Sequence, residues 1–560
     1  MKGFTAKELV GLIVNPLERV VETLERKLGL FSVVIISLAS MLGTGLFVIP
    51  ALAMVEMGGS GSNPVGGIWL AFLLAGIVIL PAAISKSELA TAMPSSGGAY
   101  VYIEKSFGPQ IGTVLGVGLW ATTMFKSAFA LLGFKAYLWV LDEMFGIKIN
   151  IEVAALILLV LIVIINILGV KQIKKVQTPI VLVSVIFLAL ICIKALFTMP
   201  MNWGNAFSRD AFGPSGIVSV AETSAFVFVA YAGVTKIAAI GGEIKRPERN
   251  IPVGLLLSLG ISSLIYVIFS IIMVSAVDPS EYITEGNIAR EDPVYVFVDS
   301  VAGQTFAQIS AFLAITMLTG MALAGVMATS RFPFAMARDN LLPKSIENVH
   351  PKYNTPHLSI IFTGLAMGFC ISFLPVKDIA KLASGFKIMI FIMINCCVIV
   401  LRTSSKSHSW YKPDWKSPFF PVIQILGIVV SIWLIYLMGS KALIGALATI
   451  LIGLIIYHSY GKKNVEYEIT PWETFRLMFT NPDEAEKRRL YAAFHAADSN
   501  SKGHLNLQEF TSAMNSLQLE VSLNDKILRR YFHSADINGD GVLDVDEFLI
   551  SIQEIEKEEE

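Results

Sequence analysis

Cysteine and charge are both scarce in this chain. Only four of its 560 residues are cysteine (Cys192, Cys370, Cys396, Cys397), and all four fall inside apolar runs. That excludes a disulfide framework and a spaced-cysteine zinc site. Asp, Glu, Lys and Arg together make up 16%, where a soluble chain of this size carries about 25%. A soluble fold throughout is excluded, and the long apolar runs indicate a polytopic membrane protein. The net charge of −1 carries no information about partners, and no nucleic acid is expected. A cleavable signal peptide is not expected either, because the first apolar run is too long and follows a charged leader of 28 residues.

What is present falls into four parts: a leader (1–28), a membrane domain (29–460), a linker (461–483) and an acidic C-terminal domain (484–560). In the leader, Leu9, Leu12, Ile13, Leu17, Val20, Val21 and Leu24 alternate with charged residues at helical spacing. It is too polar to span and is expected to lie on the membrane surface as an amphipathic helix. Twelve spanning segments follow, at about 30–56, 65–90, 110–141, 151–170, 176–198, 215–241, 252–276, 297–331, 357–375, 378–402, 418–438 and 440–459. With the N-terminus inside, the inner loops carry sixteen Lys and Arg, counting Lys86 and Lys105, against six outside. The bias predicts both termini and the C-terminal domain in the cytosol, at the plasma membrane or an endomembrane.

The first segment is interrupted near its centre by Gly43-Thr44-Gly45. Glycine costs about 1 kcal/mol relative to alanine in a helix interior. A helix that opens here frees backbone groups that only a cavity or a ligand can satisfy inside hydrocarbon. The sixth segment holds Phe226-Val227-Phe228-Val229-Ala230-Tyr231-Ala232-Gly233 at the corresponding place if a second repeat begins there. Paired interruptions of this kind point to a transporter binding site. The competing reading is that the glycines are packing contacts, since small residues let membrane helices approach closely.

Four stretches carry a resemblance. They are Gly43 to Pro50 (GTGLFVIP), Ser87 to Tyr102 (SELATAMPSSGGAYVY), Gly242 to Pro252 (GEIKRPERNIP), and Ala335 to Pro343 (AMARDNLLP) with Thr355-Pro356-His357 after it. Over about residues 28–460 the chain resembles the amino acid–polyamine–organocation transporter family. The resemblance implies an all-α, leucine-transporter-type fold, with two inverted five-helix repeats and two further helices. It also implies an amino-acid ligand. The N–H groups of Gly43, Thr44 and Gly45, with the Thr44 hydroxyl, would hold its carboxylate. Carbonyls of Leu42, Val229, Ala230 and Ala232 would take its ammonium group. Val234 stands where many members place an aromatic gate after Gly233, with Tyr231 three residues earlier. Some relatives carry a lysine midway along the fifth helix; the ungapped match puts Ser184 there, which cannot carry charge. Lys126 and Glu222 are ionisable residues in apolar surroundings, so each is expected to line the pathway, or the two to pair. The competing reading leaves Glu222 hydrated near the outer interface. Proton coupling, sodium coupling, exchange and uniport stay open.

The tail holds two calcium-loop patterns. The second offers oxygen ligands from Asp536, Asn538, Asp540, Asp544 and Glu547, the Val542 carbonyl, and Gly541 at the sharp turn. The first offers Asp498, Asn500, the His504 carbonyl, Asn506 and Glu509, but Lys502 takes a ligand position. Loop two is therefore the stronger calcium site. Leu505 and Leu543 hold equivalent positions, where paired hands share a short strand contact. With no nucleophile or acid–base constellation in the tail beyond these loops, the chain is not expected to be an enzyme. The expectation is a secondary amino-acid transporter modulated by cytosolic calcium. The alternative is an amino-acid sensor without net flux whose output is the tail.

Overall fold

A computed structural model describes residues 28–559, apart from 95–97, 147–149, 170–172, 236, 238–240, 242–243, 285, 405–409, 466–469, 483–485, 487–489, 491–492, 495–496, 499–501 and 518–524. The expected leader helix and the ligand Asn500 lie outside these residues. The chain divides into two units. One holds 1–104, 109–396 and 413–466; the other holds 105–108, 397–412 and 467–560.

The first unit is a bundle of apolar helices. In chain order they are α1 (Leu30–Phe47), α2 (Ile49–Glu56), α3 (Ile68–Ala92), α4 (Ala99–Phe107), α5 (Pro109–Tyr137), α6 (Trp139–Phe145), α7 (Ile151–Leu168), α8 (Ile173–Thr198), α9 (Ile217–Val227), α10 (Pro247–Ala276), α11 (Pro293–Ala302), α12 (Gln304–Arg338), α13 (His357–Phe373), α14 (Val376–Thr403), α15 (Val422–Leu437) and α16 (Ser440–Ile456). Among the described residues, nine helices are long and apolar enough to cross a bilayer. Three shorter ones (Val153–Leu168, His357–Phe373, Val422–Leu437) occupy the other expected places. The segment expected at 297–331 is displaced: α11 ends at Ala302, Gly303 turns the chain with φ +83°, and α12 runs on to Arg338.

Three contacts join loops that the expected twelve-span path places on a common side. Glu56, ending α2, accepts ion pairs from Lys377 (2.7 Å) and Lys381 (2.5 Å) at the start of α14. Gly61 N–H bonds Asn287 Oδ1 (3.1 Å), joining two loops of that same parity. On the other parity, Glu88 near the end of α3 accepts the Ser417 N–H (2.8 Å). Lys86, expected in a loop, is inside α3 and only 2% exposed. It therefore drops out of the positive-inside count.

In the second unit, helices α17 (Pro471–Thr480), α18 (Leu507–Leu517), α19 (Asp525–Ala535) and α20 (Val545–Glu559) are described. The stretch read as a linker contains α17. The sequence explains it: Thr470 caps the Glu473 N–H (3.3 Å) and Pro471 holds the first helical position. Leu505 and Leu543 exchange both backbone hydrogen bonds at 2.8 Å, the expected strand contact between paired loops. Behind it, Phe494, Phe510, Met514, Phe532 and Phe548 close a core of their own.

Candidate functional site

α1 runs as continuous α-helix through Gly43, Thr44 and Gly45 to Phe47. The opening expected at these glycines is not there; it falls at Val48 (φ −129°, ψ −45°), between α1 and α2. Val48 N–H still reaches Thr44 O (3.1 Å). Pro50 has no N–H, so the Leu46 carbonyl loses its helical donor. The adjacent Phe47 carbonyl takes the Tyr137 hydroxyl of α5 instead, at 2.6 Å.

The glycines serve packing. A Cβ on Gly45 would lie 2.6 Å from Tyr266 Cζ, and nearer still to its hydroxyl oxygen. A Cβ on Gly233 would lie 2.6 Å from Met41 Cγ and 2.8 Å from the Ser40 carbonyl carbon. Both distances are well inside carbon–carbon contact, about 3.5–4.0 Å. The packing alternative is thus what these two positions show.

The second interruption stands where the sequence places it. α9 ends at Val227, and Phe228–Thr235 continues as a 3-10 helix. Its cause is a side chain inserted into the ladder. Ser384 of α14 accepts the Val229 N–H (3.0 Å) and donates to the Phe226 carbonyl (2.7 Å), so one hydroxyl satisfies two groups that an α-helix would have paired.

Tyr266 of α10 ties the two helices together. Its hydroxyl donates to Met41 O (2.6 Å) and lies 3.4 Å from Ala230 O. Beside it, Lys126 Nζ of α5 donates to Ser40 O (2.7 Å). Thr44 is fully buried, and its hydroxyl has no hydrogen-bond partner among the described residues. Tyr231 is buried, donates to Phe72 O (2.8 Å) and meets Tyr266 edge-on at 5.1 Å, so it braces Tyr266 as a packed residue of the interior. Leu42, Val229, Ala230 and Ala232 are buried around this point. The result is a buried junction where carbonyls suited to a cation lie beside hydroxyls and an ammonium suited to an anion. A small cavity opens next to it between α1, α8 and α12, lined in part by Ala39, Ile180, Gly320 and Met321.

Lys126 is at this junction; the other two coupling candidates are not seen to join it. No ion pair links Lys126 to Glu222 among the described residues, and Glu222 is half-buried on α9. Ser184 is buried in α8, with no hydrogen-bond partner for its hydroxyl among the described residues. Sequence reasoning missed Ser384, Tyr266, Tyr137 and Lys387. Lys387 of α14 is 1% exposed, lies 5.4 Å over the Phe391 ring and is within electrostatic reach of both Lys86 and Lys126. A lysine surrounded by apolar residues, in the run Phe386 to Ile394, is a signal of the same kind that identifies Lys126.

The calcium loops are folded for oxygen donors. Asp536 Oδ1 accepts the N–H groups of Gly539 (2.8 Å) and Asp540 (3.1 Å), and its Oδ2 accepts that of Gly541 (3.0 Å). Glu547 reaches back to Ile537 N–H (3.2 Å) and Asp544 N–H (3.0 Å), so position twelve turns into the loop. Gly541 has φ +80° and Gly503 of loop one φ +79°, the left-handed turn that position six requires. Loop one repeats the pattern with Asp498 on Lys502 N–H (3.1 Å) and Gly503 N–H (2.7 Å), and Glu509 on Asn506 N–H (3.1 Å). His504 precedes the strand contact. Among the described residues no three His, Cys, Asp or Glu converge as a metal cluster. Donor type, order and glycine placement fit calcium.

Comparison with known proteins agrees with both parts. The amino acid permease family model matches residues 32–460, and that of the EF-hand domain pair matches 487–553. Branched-chain amino acid permease BcaP of Bacillus subtilis (strain 168) is 27% identical over 460 residues, covering 79% of this chain and 94% of that protein. The methylthioribose transporter of the same organism is 27% identical over 460 residues, with 79% and 95% covered. Its serine/threonine exchanger SteT is 25% identical over 451 residues, with 79% and 98% covered.

Proposed function

We propose, from the premise that this chain belongs to the amino acid permease family, that it is a secondary active transporter or exchanger of α-amino acids, modulated by cytosolic calcium through its EF-hand pair. Relatives named for branched-chain amino acids and for serine/threonine exchange support that substrate class. The observation that carries the proposal is the junction itself, where Tyr266 and Lys126 occupy the carbonyls of Met41, Ala230 and Ser40. These two side chains hold the positions that a substrate needs. An ammonium group would replace the Tyr266 hydroxyl at Met41 and Ala230, and a carboxylate would be drawn to Lys126 and Thr44. The N–H groups of Gly43, Thr44 and Gly45 join in only where α1 opens as Tyr266 withdraws. Twelve spans in a leucine-transporter-type arrangement, with both termini cytosolic, complete the reading.

Lys126 is the leading candidate for coupling to a proton, since an ammonium group offers no lone pair to sodium; Ser184 and Glu222, which offer oxygen, come after it, with a proton or sodium as the ion. In the tail, Asp536, Asn538, Asp540, Val542, Asp544 and Glu547 would hold calcium, and Asp498, Asn500, His504, Asn506 and Glu509 a weaker second ion. A bound ion supplies charge neutralisation of the loop carboxylates, and sensor hands loaded in this way open an apolar groove.

A thermal-shift screen of the proteinogenic amino acids on purified protein tests the binding step, since a ligand of the native state raises the melting temperature. A shift that Lys126→Met or Thr44→Val reduces is expected. A shift left unchanged in both variants would place the ligand elsewhere.

A further inference from the structure

α17, the helix between the membrane domain and the EF-hand pair, carries an aromatic row. Trp472, Phe475 and Phe479 recur at i, i+3 and i+7, so they share one face. Their rings touch in series: Trp472–Phe475 at 5.7 Å and Phe475–Phe479 at 5.1 Å. The row is only partly covered. Trp472 packs on Phe107 at 5.4 Å, Thr470 abuts Gly108, and Phe479 at the far end is 73% exposed. Three aromatics at this spacing are the anchors by which an amphipathic helix enters an apolar groove. Beyond α17, the pair keeps Phe494, Phe510, Phe532 and Phe548 closed, each at most 2% exposed. Asn481 alone separates α17 from Pro482, the next described helical residue, and Glu486 follows four positions later.

We propose that α17 is the target segment of this chain's own EF-hand pair. With calcium low, Trp472 rests on Phe107. With the loops loaded, the pair opens and captures the Trp472–Phe475–Phe479 face, which leaves Phe107. Phe107 and Gly108 lead directly into α5, which carries Lys126 and Tyr137, so release of this contact acts on the helix that supplies two of the junction's donors. The proposal rests on the calcium reading above and names the element through which calcium acts.

Two readouts on the full-length protein test it without measuring transport. The first is tryptophan emission during calcium titration, in the parent and in Trp472→Phe, whose difference isolates Trp472 from the other seven tryptophans. A calcium-dependent change carried by Trp472 and lost in Glu547→Gln is expected. An identical change in parent and Trp472→Phe would overturn the proposal. The second is calcium affinity. Capture of a target and binding of calcium are linked, so Trp472→Ala should weaken calcium binding about fivefold or more. Unchanged affinity in that variant would overturn the proposal and leave the tail as a calcium site. Absence of calcium binding in the parent would overturn both the proposal and the calcium reading.

Discussion

Gly45 and Tyr266 form a pair whose energetics can be worked out. A Cβ at position 45 would lie 2.6 Å from Tyr266 Cζ, against a normal separation of about 3.5–4.0 Å. The ring has to retreat by about 1 Å, and overpacking of this kind costs about 1–3 kcal/mol. Retreat also breaks the hydroxyl's 2.6 Å bond to Met41 O, a further ~1 kcal/mol. Alanine's better helix propensity inside α1 offsets about 1 kcal/mol of this, so Gly45→Ala should destabilise the protein by about 1–3 kcal/mol. With Tyr266→Ala the obstruction is gone. Gly45 lies inside α1, where alanine is the better helix former by about 1 kcal/mol. The same substitution should then become neutral or stabilising. Melting temperatures of the four proteins of this double-mutant cycle, purified in one detergent, read the change of sign. If Gly45→Ala lowers the melting temperature equally in both backgrounds, the glycine is required by an open backbone and the packing explanation fails.

Other variants probe neighbouring contacts. Ser384→Ala leaves the Val229 N–H and Phe226 carbonyl without their partner. It should cost about 2–3 kcal/mol, seen as a lower melting temperature, with Ser384→Thr retaining more stability than Ser384→Ala; equal losses would count against the hydroxyl's role. Lys126→Met removes the donor to Ser40 O and should weaken amino-acid binding at least tenfold in a thermal-shift titration, whereas unchanged affinity would remove Lys126 from the site. Glu547→Gln in loop two should abolish the tighter calcium-binding event measured by calorimetry, while Glu509→Gln in loop one should leave it in place; the reverse order would contradict the ranking of the loops.

Much of the architecture can be read from hydropathy, because a membrane helix must satisfy its backbone internally and therefore appears as a long apolar run. The Leu505–Leu543 contact could be foreseen because loop position fixes it. The interruption at Phe228–Thr235 is legible in Gly233 and its neighbours, although what opens it is Ser384, far away in sequence. The first interruption was misplaced by a few residues. Gly43 and Gly45 are the weaker helix formers, while Pro50, which lacks the N–H, marks the actual site. Glycine in a membrane helix serves close approach as well as opening, and only the neighbour, here Tyr266, tells the two apart. The groups that sequence reasoning missed here, Tyr137, Tyr266 and Lys387, come from three helices whose meeting is set by packing, beyond the reach of local pattern.

Counterflow measures the central claim most directly. Proteoliposomes preloaded with unlabelled amino acid and diluted into trace labelled amino acid should accumulate label transiently above equilibrium. That accumulation should be lost in Lys126→Met and faster or slower when calcium is added on the face bearing the EF-hand pair. Binding of the same amino acid by the purified protein without any accumulation in the vesicles would contradict it, and would make this chain a sensor instead of a carrier.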